Sequence, residues 1–207
     1  MWLILTIAQA ASQTSPACSR WLEFDDIGYP NYRKLDLSGG IDTNNYEYVA
    51  PNGIATVYSS VDRYSSNGED WYYLSNLFDG SLYFRSHGTT HYHSYWLGLC
   101  LTIETAQIII AFDKPQNISH IVVEPRVIYT DRYSWYAIDG YPESTDYKEG
   151  HIEKAVHITQ MINTDDDHFG KVHGHPVKGV YETIVFYLFK KGSYCTLNEI
   201  EIFVSDP

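Results

Sequence analysis

Short runs of β-branched and aromatic residues, each closed by Gly, Pro, Asn or Asp, punctuate this chain and restrict it to a sheet architecture. Residues 55–60, 107–112, 118–124, 133–138, 181–190 and 197–204 all have this character, the pattern of strands bounded by turns. In the last run Ile202 and Val204 alternate with Glu199, Glu201 and Phe203, while Ile200 is out of step with Leu197; this permits a bulge. Residues 152–161 fit a short helix or a strand equally well. With no internal repeat, the pattern predicts a single all-β β-sandwich. The breaks Gly28-Tyr29-Pro30-Asn31, Ser38-Gly39-Gly40 and Ala50-Pro51-Asn52-Gly53 mark residues 1–50 as an N-terminal arm or extension, leaving 51–207 as the sandwich domain.

Composition narrows the function classes. A chain of 207 residues buries one substantial core. Its 19 Tyr against 2 Met exceed what a core needs, so many tyrosines belong to strand faces and loop tips, where they suit recognition. A formal charge of −12, with 14 Lys and Arg among 26 acids, disfavours nucleic acid and anionic membranes, which require clustered basic residues. The three cysteines Cys18, Cys100 and Cys195 form no CxxC pair, which argues against a cysteine zinc site. Cys100 lies in an apolar run and reads as a buried thiol. Whether Cys18 and Cys195 pair is open.

Two segments carry the clearest chemistry. Leu74-Ser75-Asn76-Leu77-Phe78-Asp79-Gly80-Ser81 and Leu197-Asn198-Glu199-Ile200-Glu201-Ile202-Phe203 together offer Asn, Asp, Ser and Glu oxygens with which a hard cation would tie a loop to the last strand. The competing reading makes Asp79-Gly80 only a tight turn and Glu199 a solvated strand residue.

The order of these motifs resembles the galactose-binding-like jelly roll of coagulation factor V/VIII type C (discoidin) domains, fucose-binding lectins and family 32 carbohydrate-binding modules. The matching pieces are Tyr58-Ser59-Ser60, Phe78-Asp79-Gly80, Tyr95-Trp96, Ile108-Ile109-Ile110-Ala111-Phe112-Asp113-Lys114-Pro115, Ile118 to Arg126 and Leu197 to Ile202, over about residues 54–204. The resemblance implies an all-β galactose-binding-like jelly-roll β-sandwich with an N-terminal extension, and a non-catalytic carbohydrate or cell-surface attachment module stabilised by Ca²⁺. It implies cation ligands at Asn76, Asp79, Ser81, Thr89 or Thr90, Asn198 and Glu199, in a structural role. Oxygens at roughly 2.3–2.6 Å would complete such a shell.

For the ligand end, the resemblance points to loops at one end of the sandwich. Arg126 occupies the position of the family's sugar-binding Arg, and its planar donors suit vicinal hydroxyls or a carboxylate. His91, His93, Tyr95 and Trp96 lie in the preceding loop. The fucose lectins' Arg-x-Asp is absent, since Val127-Ile128 follow Arg126, so fucose specificity is not implied. Tyr129, Asp131, Arg132, Tyr133 and Trp135 are the other candidates, against a reading of 129–136 as strand, loop and strand with ordinary aromatic packing.

Other features are weaker. His87, His91 and His93, and again His173 and His175, have the alternate spacing that brings strand residues to one face, as a transition-metal site needs. No acidic general base follows either group in a recognised motif, so zinc hydrolysis is disfavoured against polar histidines. Asp165-Asp166-Asp167-His168 reads as a solvated turn or a second cation site. Asn117-Ile118-Ser119 is a glycosylation acceptor only in a secretory host.

The apolar stretch within Met1 to Ala11 lacks a basic leading segment and is too short to cross a bilayer. It reads as an ordered strand or arm rather than a signal peptide. Trp2, Leu3, Ile4 and Leu5 exposed on a lone monomer would be unfavourable, so the rival function is a structural or decoration protein of a virion or tail fibre, in which residues 1–11 pack in a homo-oligomer or larger assembly. Both readings place the protein outside a cell or on a virion surface.

Overall fold

A computed structural model of the chain describes residues 32–44, 46–60, 73–80, 96–99, 105–124, 135–162, 173–189, 194–197 and 199–205. Residues 1–31, with the apolar N-terminus and Cys18, lie outside the described residues. The strands are β1 (Tyr32–Lys34), β2 (Ile41–Asn44), β3 (Glu47–Val49), β4 (Ala55–Ser59), β5 (Trp96–Leu99), β6 (Thr105–Glu124), β7 (Trp135–Tyr141), β8 (Val156–Ile162), β9 (His173–Phe189), β10 (Tyr194–Leu197) and β11 (Glu199–Ser205). One short helix, α1, spans Ser144–Lys148.

The long strands β6 and β9 set the architecture by serving both layers. The first half of β6 lies between β4 and the second half of β9, inside the order β2-β3-β4-β6-β9-β7-β8. Its second half pairs with β11, which carries β1 on its other edge. The register of β6 against β9 slips between Ala111 and Gln116 and again between Ile118 and His120. Runs 107–112 and 118–124, expected as separate strands, are therefore one strand with irregular pairing at Asp113-Lys114-Pro115, where proline removes a ladder donor. β5 and β10 form a separate antiparallel pair.

Alternation along these strands supplies the core. Ile108, Ile110, Phe112, Ile138, Ile184, Phe186 and Leu188 from one layer meet Ile121, Val123, Val177, Ile200, Ile202 and Val204 from the other in a single buried cluster. Each such side chain contributes about 1.5–3 kcal/mol by leaving water. On the outside of the first layer, Ile109, Tyr141 and Val185 form a second cluster beneath Tyr147 of α1. Residues 152–161 resolve into a 3₁₀ turn at Ile152–Lys154 followed by β8. The bulge that the last run permits falls between Phe203 and Val204.

The chain before residue 51 is part of this body from Tyr32 onward. β1 pairs with β11, β2 and β3 extend the sheet beyond β4, and Leu35, Leu37, Tyr48 and Ala50 are buried in the common core. The Tyr48 hydroxyl donates to the Leu37 carbonyl and accepts the Gly40 N–H at 2.9 Å, while its ring stacks on Phe78 with centroids 5.7 Å apart. A boundary at residue 50 thus does not separate residues 32–50 from the sandwich. These strands are only three or four residues long and mostly face solvent, so they carry too little periodicity to be read as strands.

Candidate functional site

The segment before Asp79 is a 3₁₀ turn, Leu74–Phe78, held down by the burial of Leu74, Leu77 and Phe78. Its free N-terminal amides are capped from another strand, because Asp42 Oδ1 accepts the N–H groups of Leu74 at 3.0 Å and Ser75 at 3.3 Å. Asp79 ends this turn and Gly80 follows at φ 72°, a left-handed conformation suited to glycine. The Gly80 N–H donates to Glu199 Oε1 at 3.0 Å. The loop and the last strand are therefore in direct contact.

Glu199 is not a solvated strand residue. It is 1% exposed, and its second oxygen, Oε2, is buried with no hydrogen-bond partner. Burial pushes its carboxyl well above the usual carboxylate range, and the nearby charges of Asp79 and Glu201 push it further. Glu124, directly across from Glu199 on β6, is also buried and has an interaction of its own. Two residues along β11, Glu201 is 2% exposed and accepts from Lys34 Nζ at 2.5 Å.

A buried carboxylate with one empty oxygen beside a second carboxylate is a costly arrangement that a bound cation relieves. Among the expected cation ligands, the fold brings Asp79 and Glu199 together, and Asn76 sits on the adjoining 3₁₀ turn. Ser81, Thr89, Thr90 and Asn198 lie outside the described residues. No group of three His, Cys, Asp or Glu side chains with metal-binding geometry occurs among the described residues. The oxygen donors present nevertheless fit a hard cation better than a soft one. Sequence reasoning missed Lys34 and Glu201, because the alternation of β11 alone assigns Glu201 to water.

A second region is defined by where the strands end. Thr105 pairs with Phe189, Trp135 with Phe189 and Tyr136 with Ile162 in one layer; Val123 pairs with His173 and Glu124 with Glu199 in the other. The layers touch here, since Tyr136 Oη lies 2.7 Å from His175 Nε2 and the Tyr136 and His173 rings meet edge to face at 6.4 Å. Residues 125–134, which contain Arg126 and Tyr129, are flanked by Glu124 and Trp135 at this end. Arg126, Tyr129, His91 and His93 themselves lie outside the described residues. Trp96 opens β5 opposite Leu197, its side chain outside the described part. Trp135 is 37% exposed and begins β7, so an open aromatic ring stands at the rim.

His173 and His175 do not offer a pair of open metal-binding nitrogens. Their rings stack with centroids 6.4 Å apart, and His175 Nε2 is engaged by Tyr136. Burial lowers the pKa of His175 to about 4, and that of His120, which stacks on Phe203, also to about 4. Depressed values mean that the unfolded chain takes protons below about pH 6.5 while the folded one refuses them. Stability from these histidines is complete above about pH 6.5 and falls toward pH 4, by about 1.4 kcal/mol per pH unit for each at most. Denaturant titrations between pH 7 and 4.5 should show a shallower decline for His175→Gln than for the wild type; parallel curves would exclude His175 as a source.

No protein-family model matches the sequence, and no curated protein matches it. Solved structures do match. The C-terminal domain of a chitobiase from Bacteroides fragilis superposes with a TM-score of 0.52 at 12% identity, over 84% of this chain and 100% of that one. The family 32 carbohydrate-binding module of NanJ from C. perfringens, in complex with galactose, gives 0.50 at 12% identity over 74% and 96%. Another family 32 module from Clostridium perfringens, in complex with GalNAc-β-1,3-galactose, gives 0.50 at 12% identity over 73% and 96%. The chain has the galactose-binding-like jelly-roll fold. At these identities the likeness is one of framework, so the chemistry of any site here rests on this chain's own residues. Among the described residues no helix is long and apolar enough to cross a membrane.

Proposed function

We propose that this protein is a non-catalytic carbohydrate-binding module that attaches to a glycan outside the cell, with Ca²⁺ clipping the Asp79 turn to the last strand. The observation that carries the reading is the likeness of its fold to modules solved with galactose and with GalNAc-β-1,3-galactose. Sugar recognition needs an exposed aromatic face and planar hydrogen-bond donors. Trp135 supplies the first at the rim, and Arg126, Tyr129, His91, His93 and Trp96 are the proposed remainder.

Asp79 and Glu199, joined by Asn76, Ser81, Thr89 and Asn198, would hold the cation. The buried, unpartnered Glu199 Oε2 is the feature in this chain that supports it. The ion would supply charge neutralisation and no chemistry on a substrate. Its value lies in fixing the turn at Asp79-Gly80 against β11.

Trp135→Ala and Arg126→Ala should each weaken retention on immobilised galactose or GalNAc about tenfold or more, with an unchanged melting temperature, as loss of a stacking ring or a bidentate donor does. Affinity electrophoresis with a thermal melt alongside makes the comparison. Undiminished retention in both variants would move the sugar site off this rim.

A further inference from the structure

We propose that Lys34 is a built-in counter-ion of the cation clip, whose ammonium sets the affinity of the site for a divalent cation and links that binding to the seating of β1. This rests on the clip itself being a cation site. Lys34 Nζ stands 2.5 Å from Glu201 Oε1, and Glu201 and Glu199 point to the same side of β11, two residues apart. Asp79 and Glu199 interact electrostatically, and Lys34 acts on Glu199 as well. Asp79, Glu199 and Glu201 bring three carboxylates against the one ammonium of Lys34, and the buried Glu124 lies directly across from Glu199, so negative charge is in excess and a cation offsets it.

A cleft of about 230 Å³ lies beside the group, lined by Lys34, Asp36, Ser38, Phe78, Asp79 and Gly80 among others, so Lys34 and the Asp79 turn border one solvent-filled space, with Glu199 and Glu201 buried behind it. Lys34 arrives there because β1 pairs with β11, with Lys34 opposite Phe203 and the Leu35 N–H donating to the Ile202 carbonyl at 2.7 Å. β1 is three residues long and pairs with no other strand among the described residues. The Lys34–Glu201 contact therefore bears directly on whether β1 stays docked, and an ion that repels Lys34 while neutralising its partner's neighbours feels that docking in return.

The test is a calorimetric Ca²⁺ titration of the full chain, with Mg²⁺ as comparison, for the wild type, Lys34→Met, Glu201→Gln and Glu199→Gln. Removing the ammonium takes a positive charge from beside the ion, so Lys34→Met should bind Ca²⁺ about tenfold or more tightly. Glu201→Gln removes a negative charge and frees Lys34 to turn toward Glu199, so it should bind about tenfold or more weakly. This second variant is isosteric and decides the matter if Lys34→Met does not fold without the ion. Unchanged affinity in either folded variant, with a wild type that binds, overturns the role of Lys34 and leaves the clip standing. A wild type that binds no divalent cation overturns the clip and this role together.

Discussion

Glu199→Gln should melt higher than the wild type in chelator and lose the response to Ca²⁺. The wild-type carboxylate is 1% exposed, with one oxygen satisfied by the Gly80 N–H and the other empty beside Asp79. An amide keeps the acceptor for Gly80 and offers N–H donors toward the Asp79 carboxylate, so the cost of an unsatisfied buried polar group, about 1–3 kcal/mol, is removed. The sign with pH follows from the raised pKa of Glu199. The folded chain holds its proton to higher pH than the unfolded chain, so the metal-free protein loses stability as pH rises from the usual carboxylate range through the folded value. On the proposed clip, bound Ca²⁺ would cancel that loss, and Glu199→Gln lacks it. Differential scanning fluorimetry in chelator and in Ca²⁺, at pH 5 and pH 8, reads all of this. A variant that melts lower than the wild type in chelator at pH 8 would contradict the account.

A chain that begins at Pro51 should not fold. Such a deletion removes β1, β2 and β3, and with them Leu35, Leu37, Tyr48 and Ala50 from the core. Tyr48 stacks on Phe78, and truncating a buried aromatic costs about 3–5 kcal/mol; Leu35 and Leu37 add about 2–5 kcal/mol each, which with the loss of three strands matches the whole 5–15 kcal/mol or so of a domain. The deletion also exposes the edge of β4 along its pairing with β3 and takes away the Asp42 cap of the turn that presents Asp79. Circular dichroism and the dispersion of amide proton resonances test it. A folded, cooperatively melting fragment would place the domain boundary at residue 50 after all.

How much could be read from sequence depended on strand length and on what covers each face. β4, both halves of β6, β7, the second half of β9 and β11 were legible because β-branched residues recur with turn formers at each end. β1 to β3 were not: Tyr32-Arg33-Lys34 and Ile41-Asp42-Thr43-Asn44 look like loop, and it is pairing with distant β11 that makes the first a strand and pairing with β3, itself laid on β4, that makes the second one. The same distance hides the charge cluster. Alternation correctly assigns Glu199 and Glu201 to the face away from the core, but the Asp79 turn and Lys34, more than a hundred residues away in sequence, cover that face. The nearness of the Asp79 turn to Glu199 was legible because their motifs occur together in the family the sequence resembles. Lys34 left no local signal at all.

His173 and His175 show what alternate spacing leaves open. Their alternate spacing at His173 and His175 suits a metal, yet the same spacing is what places both on the inner face of β9. There Tyr136, arriving from the other layer, takes the His175 nitrogen at 2.7 Å. Spacing alone does not distinguish a ligand from a satisfied core residue. The partner across the sandwich does.

The most direct test of carbohydrate binding is a glycan array probed with the purified full chain in Ca²⁺ and again in chelator. Selective binding to galactose- or GalNAc-terminated glycans in Ca²⁺, weakened in chelator as the Asp79 turn loosens, is the predicted result. No glycan bound in Ca²⁺, by a chain whose melt shows it folded, would contradict it.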